Sequence, residues 1–220
     1  MALPEVELAP ELLGPEGPFV EVLEGFEWRS GQQEMAAAVA RALQEDGLSF
    51  IEAGTGTGKS LAYLVPAALF AVHSGQRVVI STNTINLQEQ LLHKDIPLVK
   101  EALLPNLRAC LVKGWSNYLC LYRFQAVSAQ GVLDMGWEDP IGDIADWVRV
   151  ASEGSLSELG QEPAIWHEIC AESDTCLRGD CPYYRRCFLF RARAQVEEAH
   201  LLVVNHHLLL ADVAIRRAIG

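Results

Sequence analysis

An α/β protein built around a phosphate-binding loop is what the sequence predicts, on three observations. The stretch Ala53-Gly54-Thr55-Gly56-Thr57-Gly58-Lys59-Ser60 lies between a short apolar run, Leu48 to Ile51, and a long one, Leu61 to Val72. That is strand, glycine-rich turn and helix in succession, the context such a loop requires. Two further apolar runs read as strands: Arg77 to Ser81, a β-branched run suited to a parallel strand buried on both faces, and Leu201 to Val204, a further buried strand.

Within the loop, glycines let successive N–H groups turn into one anion-binding concavity. The helix opening near Gly58 adds about half a positive charge at its start. Lys59 is placed to neutralise β- and γ-phosphates, and the Ser60 hydroxyl to hold a magnesium ion. The generic pattern G-x-x-x-x-G-K-[ST] has glycine where this chain has Ala53.

The chain has 220 residues, 50% of them hydrophobic, enough for a sizeable core. No uncharged apolar run is long enough to predict a membrane span, and the acidic start lacks the basic region of a signal peptide. A cytoplasmic protein is expected. Net charge is −12, but it is unevenly spread. Residues 1–28 hold seven acids and no base, and residues 134–162 hold eight acids and one arginine. The remainder is slightly basic, so the balance does not exclude a nucleic-acid partner. Six cysteines without a secretory signal are expected as metal ligands or core residues rather than disulfides.

In chain order, proline and glycine cluster at residues 4–18, which predicts a flexible acidic lead-in over 1–25 with little fold of its own. Ser30 and Gln33 form a capping-box pattern, opening a helix with Met35, Val39 and Leu43 on one face and Gly47 at its end. Gln33 then has a structural role. Gln32 and Arg29 do not, and a glutamine amide can pair with both a donor and an acceptor on an adenine edge.

After the loop, the helix from about Gly58 to His73 is apolar nearly all round, hence buried, and Pro66 is expected to bend it. Thr82-Asn83-Thr84 follows the next strand, before a helix carrying Leu87, Leu91 and Leu92. Side chains at the carboxyl end of such a strand stand where ligands bind in open α/β sheets. They suit phosphate contacts or a plain helix cap. Ala109 to Val112 reads as a third short strand, in which Cys110 is a small buried hydrophobe.

Residues 131–162 are acidic, with a helical patch at Ile144, Trp147 and Val148. Cys176, Cys181 and Cys187 then follow with spacing Cys-x4-Cys-x5-Cys. Those gaps fit zinc poorly, whereas iron–sulfur clusters take four thiolates at looser spacings. Cys110, Cys120 and Cys170 are the candidates for the fourth. Arg178, Arg185, Arg186, Arg191 and Arg193 surround this loop against one acid, Asp180, with Tyr183, Tyr184 and Phe188 nearby. Charge plus aromatic surface is the makings of a single-strand path. Asn205-His206-His207 ends the strand at Leu201 to Val204 and reads as a helix start rather than a zinc site.

The stretches FEWRSGQQEMA, EAGTGTGKS, VVISTNTINLQEQL, VKGWSNYLC, the cysteine loop and VVNHHLLLAD occur in this order. From about Phe26 to Asp212 the chain resembles the first motor domain of DinG-type bacterial helicases, relatives of the XPD-like iron–sulfur superfamily 2 DNA helicases. The form A-x-x-G-x-G-K-S is a variant common in that superfamily. The resemblance implies a RecA-like P-loop parallel sheet with helices on both faces, incomplete, with an inserted iron–sulfur subdomain. It implies an ATP-binding domain beginning at 26–115, the cluster insertion with its acidic arm at 116–195, and a return to the first domain at 196–220.

It further implies ATP and Mg2+ held by Arg29, Gln32 and the run Ala53, Gly54, Thr55, Gly56, Thr57, Gly58, Lys59, Ser60 and Leu61. Thr82, Thr84 and Gln90 fall on its DNA-contacting segment, and Tyr118, Arg185 and Arg186 are the DNA-contact candidates of the cysteine region. Cys120, Cys176, Cys181 and Cys187 match the four ligands of a 4Fe–4S cluster, leaving Cys110 and Cys170 as extras. Trp115 stands where the family usually carries arginine. Members move 5′ to 3′ on single-stranded DNA, driven by ATP, and a monomer acting on single-stranded or forked DNA, with no membrane partner, is implied.

Such motors need an Asp-Glu pair to bind magnesium, and no Asp-Glu dipeptide occurs in these 220 residues. An N-terminal fragment that hydrolyses ATP weakly or not at all is therefore expected. Two readings compete: an iron–sulfur single-strand-binding or regulatory module without ATPase activity, and a zinc-stabilised P-loop ATPase.

Overall fold

The computed structural model describes residues 3–130 and 140–219. Residues 131–139 of the acidic arm, and Met1 and Ala2 of the lead-in, lie outside the described residues. The chain divides into two compact units, Met1–Leu111 with Glu198–Gly220, and Val112–Glu197.

The first unit opens with three short helices, α1 (Pro4–Glu7), α2 (Ala9–Leu12) and α3 (Phe19–Val22). This differs from the expected unstructured lead-in. Val6, Ala9, Leu13 and Phe19 are fully buried in the unit's core. Pro4 and Pro10 stand in the first turns of α1 and α2, where the missing N–H has no helical partner to lose. Proline here starts helices instead of breaking them.

Helix α4 (Ser30–Gln44) packs along α5 (Lys59–Ser74). Its buried face is Gln32, Ala36 and Ala40, one position round from the expected Met35, Val39 and Leu43. Two alanines on that face let the helices approach closely. The capping box is not formed: Arg29 is the N-cap residue and makes no side-chain cap bond. Gln33 instead accepts from Trp28 Nε1 at 2.7 Å and donates to the Pro10 carbonyl at 2.7 Å, tying the opening helices to α4. At the other end Asp46 takes the left-handed conformation (φ 51°), and the Gly47 N–H reaches back to the Ala42 carbonyl.

Helix α5 buries nine residues between Leu61 and Ala71, Pro66 among them, as its all-round apolar pattern predicts. Three parallel strands form one sheet in the order β1 (Val78–Thr82), β3 (Leu201–Asn205), β2 (Ala109–Leu111). The register pairs Thr82 with Asn205 and Cys110 with Leu202. Between β1 and β2 the chain runs through α6 (Ile85–Gln90), a π-helical turn (Leu91–Asp95) and α7 (Ile96–Ala102). The unit closes with the helix His206–Ile219. The architecture is α/β, a small parallel sheet flanked by helices.

The strand expected at Leu48 to Ile51 is absent. Those residues have no regular structure, and Leu48 and Phe50 are 86% and 90% exposed. An apolar run becomes a buried strand only where a neighbour offers a hydrogen-bonding ladder. No described strand pairs with this one.

The second unit is helical. It contains a 3₁₀ turn (Trp115–Asn117), α8 (Leu121–Gln130), α9 (Pro140–Val150), α10 (Leu156–Leu159), α11 (Trp166–Ile169) and α12 (Phe188–Glu198). Its core gathers Tyr118, Leu119, Phe124, Ile144, Trp166, Ile169 and Leu189. Among the described residues no helix is long and apolar enough to cross a membrane.

Candidate functional site

In the first unit, the loop between Ala53 and Ser60 is shaped by glycines and by its own side chains. Gly56 and Gly58 hold positive φ, 80° and 77°, which favours glycine. Gly58 is also the N-cap residue of α5. The N-terminus of a sixteen-residue helix thus faces the loop, adding the partial positive charge that anions seek.

Lys59 Nζ donates to the carbonyls of Ala53 at 2.8 Å and Gly54 at 2.6 Å, and Thr57 Oγ1 donates to the same Gly54 carbonyl at 2.9 Å. Gln32, only 4% exposed, donates Nε2 to the Gly58 carbonyl at 2.9 Å. A Cβ at position 58 would lie 2.2 Å from that nitrogen. Gln32 therefore braces the loop from α4, which a search for a base-reading glutamine does not reveal. Arg29 is exposed and paired with Glu27 at 2.9 Å.

One turn into α5, the Ser60 side chain reaches the Tyr63 phenol. Burial above all pushes the Tyr63 pKa up, the nearby Asp95 carboxylate adds to that, and the Ser60 contact opposes it. Asp95 is 6% exposed and accepts from Gln90 Nε2 at 3.0 Å. The pair spans the π-helical turn, an irregularity often found at functional sites.

At the carboxyl ends of β1 and β3, Thr82 is buried and donates Oγ1 to the Thr84 carbonyl at 3.1 Å. Thr84 Oγ1 caps α6 by accepting from the Leu87 N–H at 3.3 Å. Ser81 Oγ and His206 Nδ1 lie 2.7 Å apart. That last pair joins residues 125 positions apart, and only the parallel register of β1 with β3 brings them together. His206 does open a helix, as expected.

In the second unit, Cys120, Cys176, Cys181 and Cys187 line one pocket, with Arg123, Tyr184 and Phe190 among its walls. All four thiols are free. Cys187's pKa is raised, chiefly by burial, with Cys120 and Cys176 adding to it. Cys170 is buried beside the pocket without lining it, its S–H toward the His167 carbonyl at 3.7 Å. Cys110 lies buried in β2 of the first unit. Arg123 fixes one wall, donating Nε to the Glu168 carbonyl at 2.8 Å and pairing with Glu172. Among the described residues, no three His, Cys, Asp or Glu side chains close tightly enough to hold a single metal ion.

Tyr118, an expected DNA contact, is 4% exposed and packed in the unit's core, so its ring offers no face to a base. Phe188, read as stacking surface, is 5% exposed and likewise interior. Arg185 and Arg186 are exposed on a 3₁₀ turn.

No family model matches the chain. It is 40% identical over 206 residues to the ATP-dependent DNA helicase YoaA of Haemophilus influenzae, covering 92% of this chain and 32% of that protein. It is 36% identical over 212 residues to the ATP-dependent helicase DinG of Mycobacterium tuberculosis, covering 87% and 32% respectively. A DinG of Bacillus subtilis, named a 3′-5′ exonuclease, is 33% identical over 204 residues, 90% of this chain and 22% of that protein. The chain spans about a third of the length of the first two relatives. Over nearly all of its own length the chain is homologous to part of the YoaA and DinG helicases.

Proposed function

We propose that this chain is the nucleotide-binding part of an ATP-dependent DNA helicase, a monomer acting in the cytoplasm 5′ to 3′ on single-stranded or forked DNA. The observation that carries this is the Ala53–Ser60 loop, a backbone cradle at the start of α5, in a chain related to YoaA and DinG. The first unit is read as the beginning of a RecA-like domain and the second as its inserted subdomain. The loop N–H groups and Leu61 at the helix start take the phosphates. Lys59 exchanges its loop carbonyls for phosphate oxygens, and Ser60 holds Mg2+. Arg29 and Gln32 flank the adenine end, with Gln32 bound to the loop through one amide hydrogen and its oxygen still able to accept. Thr84 and Gln90 contact the DNA strand in the first unit, and Arg185 and Arg186 do so in the second. Thr82, as buried as Tyr118 and bonded to the Thr84 carbonyl, positions Thr84 rather than touching the strand.

Cys120, Cys176, Cys181 and Cys187 fit a 4Fe–4S cluster. They are four free thiols lining one pocket, the number and type of ligand that such a cluster takes. Such a cluster, when bound, supplies a covalent brace between the start of α8 and the cysteine loop. Anaerobic purification tests it: about four irons per chain with a brown colour support the cluster, whereas colourless protein holding zinc replaces it with a zinc site.

With no Asp-Glu pair in the sequence to hold magnesium and polarise water, this chain by itself binds ATP but turns it over slowly or not at all. Lys59→Ala is the test of the nucleotide site. A loss of ATP affinity of about tenfold or more is expected, from removing a charge-assisted contact to phosphate. Unchanged affinity overturns the assignment. Steady-state hydrolysis at the rate of a full motor would instead overturn the claim of a binding part alone.

A further inference from the structure

The second unit carries a file of aromatic rings with arginines at both ends. The Arg193 guanidinium lies 4.3 Å above the Trp115 ring. Trp115 meets Phe190 edge-on, centroids 6.4 Å apart, and Phe190 meets Tyr184 at 4.9 Å. Tyr184 remains 42% exposed and precedes Arg185 and Arg186 directly. Arg178, Arg185, Arg186 and Arg193 are all exposed and pair with no carboxylate among the described residues.

In a chain of net charge −12, four exposed arginines that make no ion pair among the described residues keep their donors available to an anionic ligand. A guanidinium stacked on tryptophan is held in orientation while its N–H donors stay available for phosphate. A tyrosine braced from behind by Phe190, with part of its ring exposed, offers what an unpaired base stacks on. In a duplex the bases are already stacked on one another, so the occupant is a single strand.

We propose that Tyr184 stacks a base and Arg193 holds a backbone phosphate of single-stranded DNA, with Phe190 and Trp115 as their positioning residues. This assignment rests on the reading that the chain binds single-stranded DNA, and it names the contacts that Tyr118 and Phe188 are too buried to make. It also gives Trp115 a role of its own, orienting a neighbouring arginine.

The test compares binding of the whole chain to an oligo-dT strand and to an abasic strand of equal length, across a salt series. Wild type is expected to bind oligo-dT on the order of tenfold more tightly than the abasic strand. Tyr184→Leu is expected to weaken oligo-dT alone and erase that difference. Arg193→Gln is expected to weaken both strands alike and lower the log–log salt slope by about 0.7. Equal wild-type affinity for the two strands overturns the stacking contact while leaving DNA binding in place, and needs no variant to fold. A dT preference that survives Tyr184→Leu also overturns it, and an unchanged salt slope in Arg193→Gln overturns the phosphate contact. If wild type binds neither strand, the DNA-binding reading itself fails, and this assignment with it.

Discussion

Gln32 reaches from α4 to the carbonyl of Gly58, 2.9 Å away, so the helix before the loop sets the conformation of the loop's last glycine. The expected consequence separates bracing from base reading. If the amide mainly shapes the loop, Gln32→Ala weakens ATP and GTP equally, about fivefold for one lost hydrogen bond. If it reads adenine, the loss falls on ATP alone. Titration with fluorescent analogues of both nucleotides decides between them. Gly58→Ala is expected to cost more than Gln32→Ala, because its Cβ would lie 2.2 Å from Gln32 Nε2 and its φ is 77°. In the double variant the collision is relieved and the backbone strain, about 1 kcal/mol, remains.

Two phenylalanines reverse what their neighbourhoods suggest. Phe19, in the proline- and glycine-rich lead-in, is fully buried, and Phe50, in the apolar run before the loop, is 90% exposed. Phe19→Ala is expected to destabilise the chain by about 3–5 kcal/mol through the cavity it leaves. Phe50→Ser is expected to change stability by no more than about 0.5 kcal/mol and to reduce binding of a hydrophobic dye. Urea unfolding of both variants checks the contrast. Equal losses would place Phe50 in the core.

The parts of the fold legible in the sequence are those whose signal is local. The apolar runs at Val78 and Leu201 became strands within a residue of their expected ends, and the glycine loop opens α5 where its pattern places it. What escaped depends on tertiary partners. Ser30 and Gln33 have the spacing of a capping box, yet Gln33 finds Trp28 and Pro10 instead. Leu48 to Ile51 has a strand's composition without a strand beside it. The Ser81 and His206 contact exists only through strand register. Burial of Tyr118 and Phe188 follows from the second unit's helical packing, which no residue pattern around the cysteines announces.

The cysteine pocket makes a stability prediction for the second unit. Linking Cys120 to Cys176 through a shared cluster closes a loop of about 56 residues, which restricts the unfolded chain by about 4 kcal/mol, by analogy with a disulfide. Stripping iron with a chelator is therefore expected to lower the unit's unfolding midpoint, and Cys181→Ser to do the same. The first unit supplies no ligand, so nucleotide affinity is expected to persist. Near-ultraviolet circular dichroism, together with nucleotide titration before and after chelation, measures both effects. An iron-free chain with an unchanged midpoint would deny the cysteines a bracing role.

The acid stability of the loop 152–158 is expected to depend on Glu158. Its carboxylate accepts the Ser152 hydroxyl at 2.7 Å and the backbone N–H groups of Ser152, Glu153 and Gly154 at 2.7, 3.0 and 2.7 Å. Burial alone would raise its pKa, but these donors outweigh that and hold it below the usual carboxylate range. A depressed folded-state pKa contributes stability that is complete above the unfolded-state value and disappears as pH falls through the folded one. The loop 152–158 should thus loosen at acid pH, below the ordinary titration of glutamate. Glu158→Gln keeps an acceptor but loses the charge, and because the group is exposed and screened by solvent it is expected to cost no more than about 1 kcal/mol at neutral pH. The variant's disadvantage should shrink on acidification, because the wild-type carboxyl becomes neutral too. Parallel urea titrations at neutral pH and near pH 3 test this, and a penalty independent of pH would mean that shape, not charge, is what Glu158 contributes.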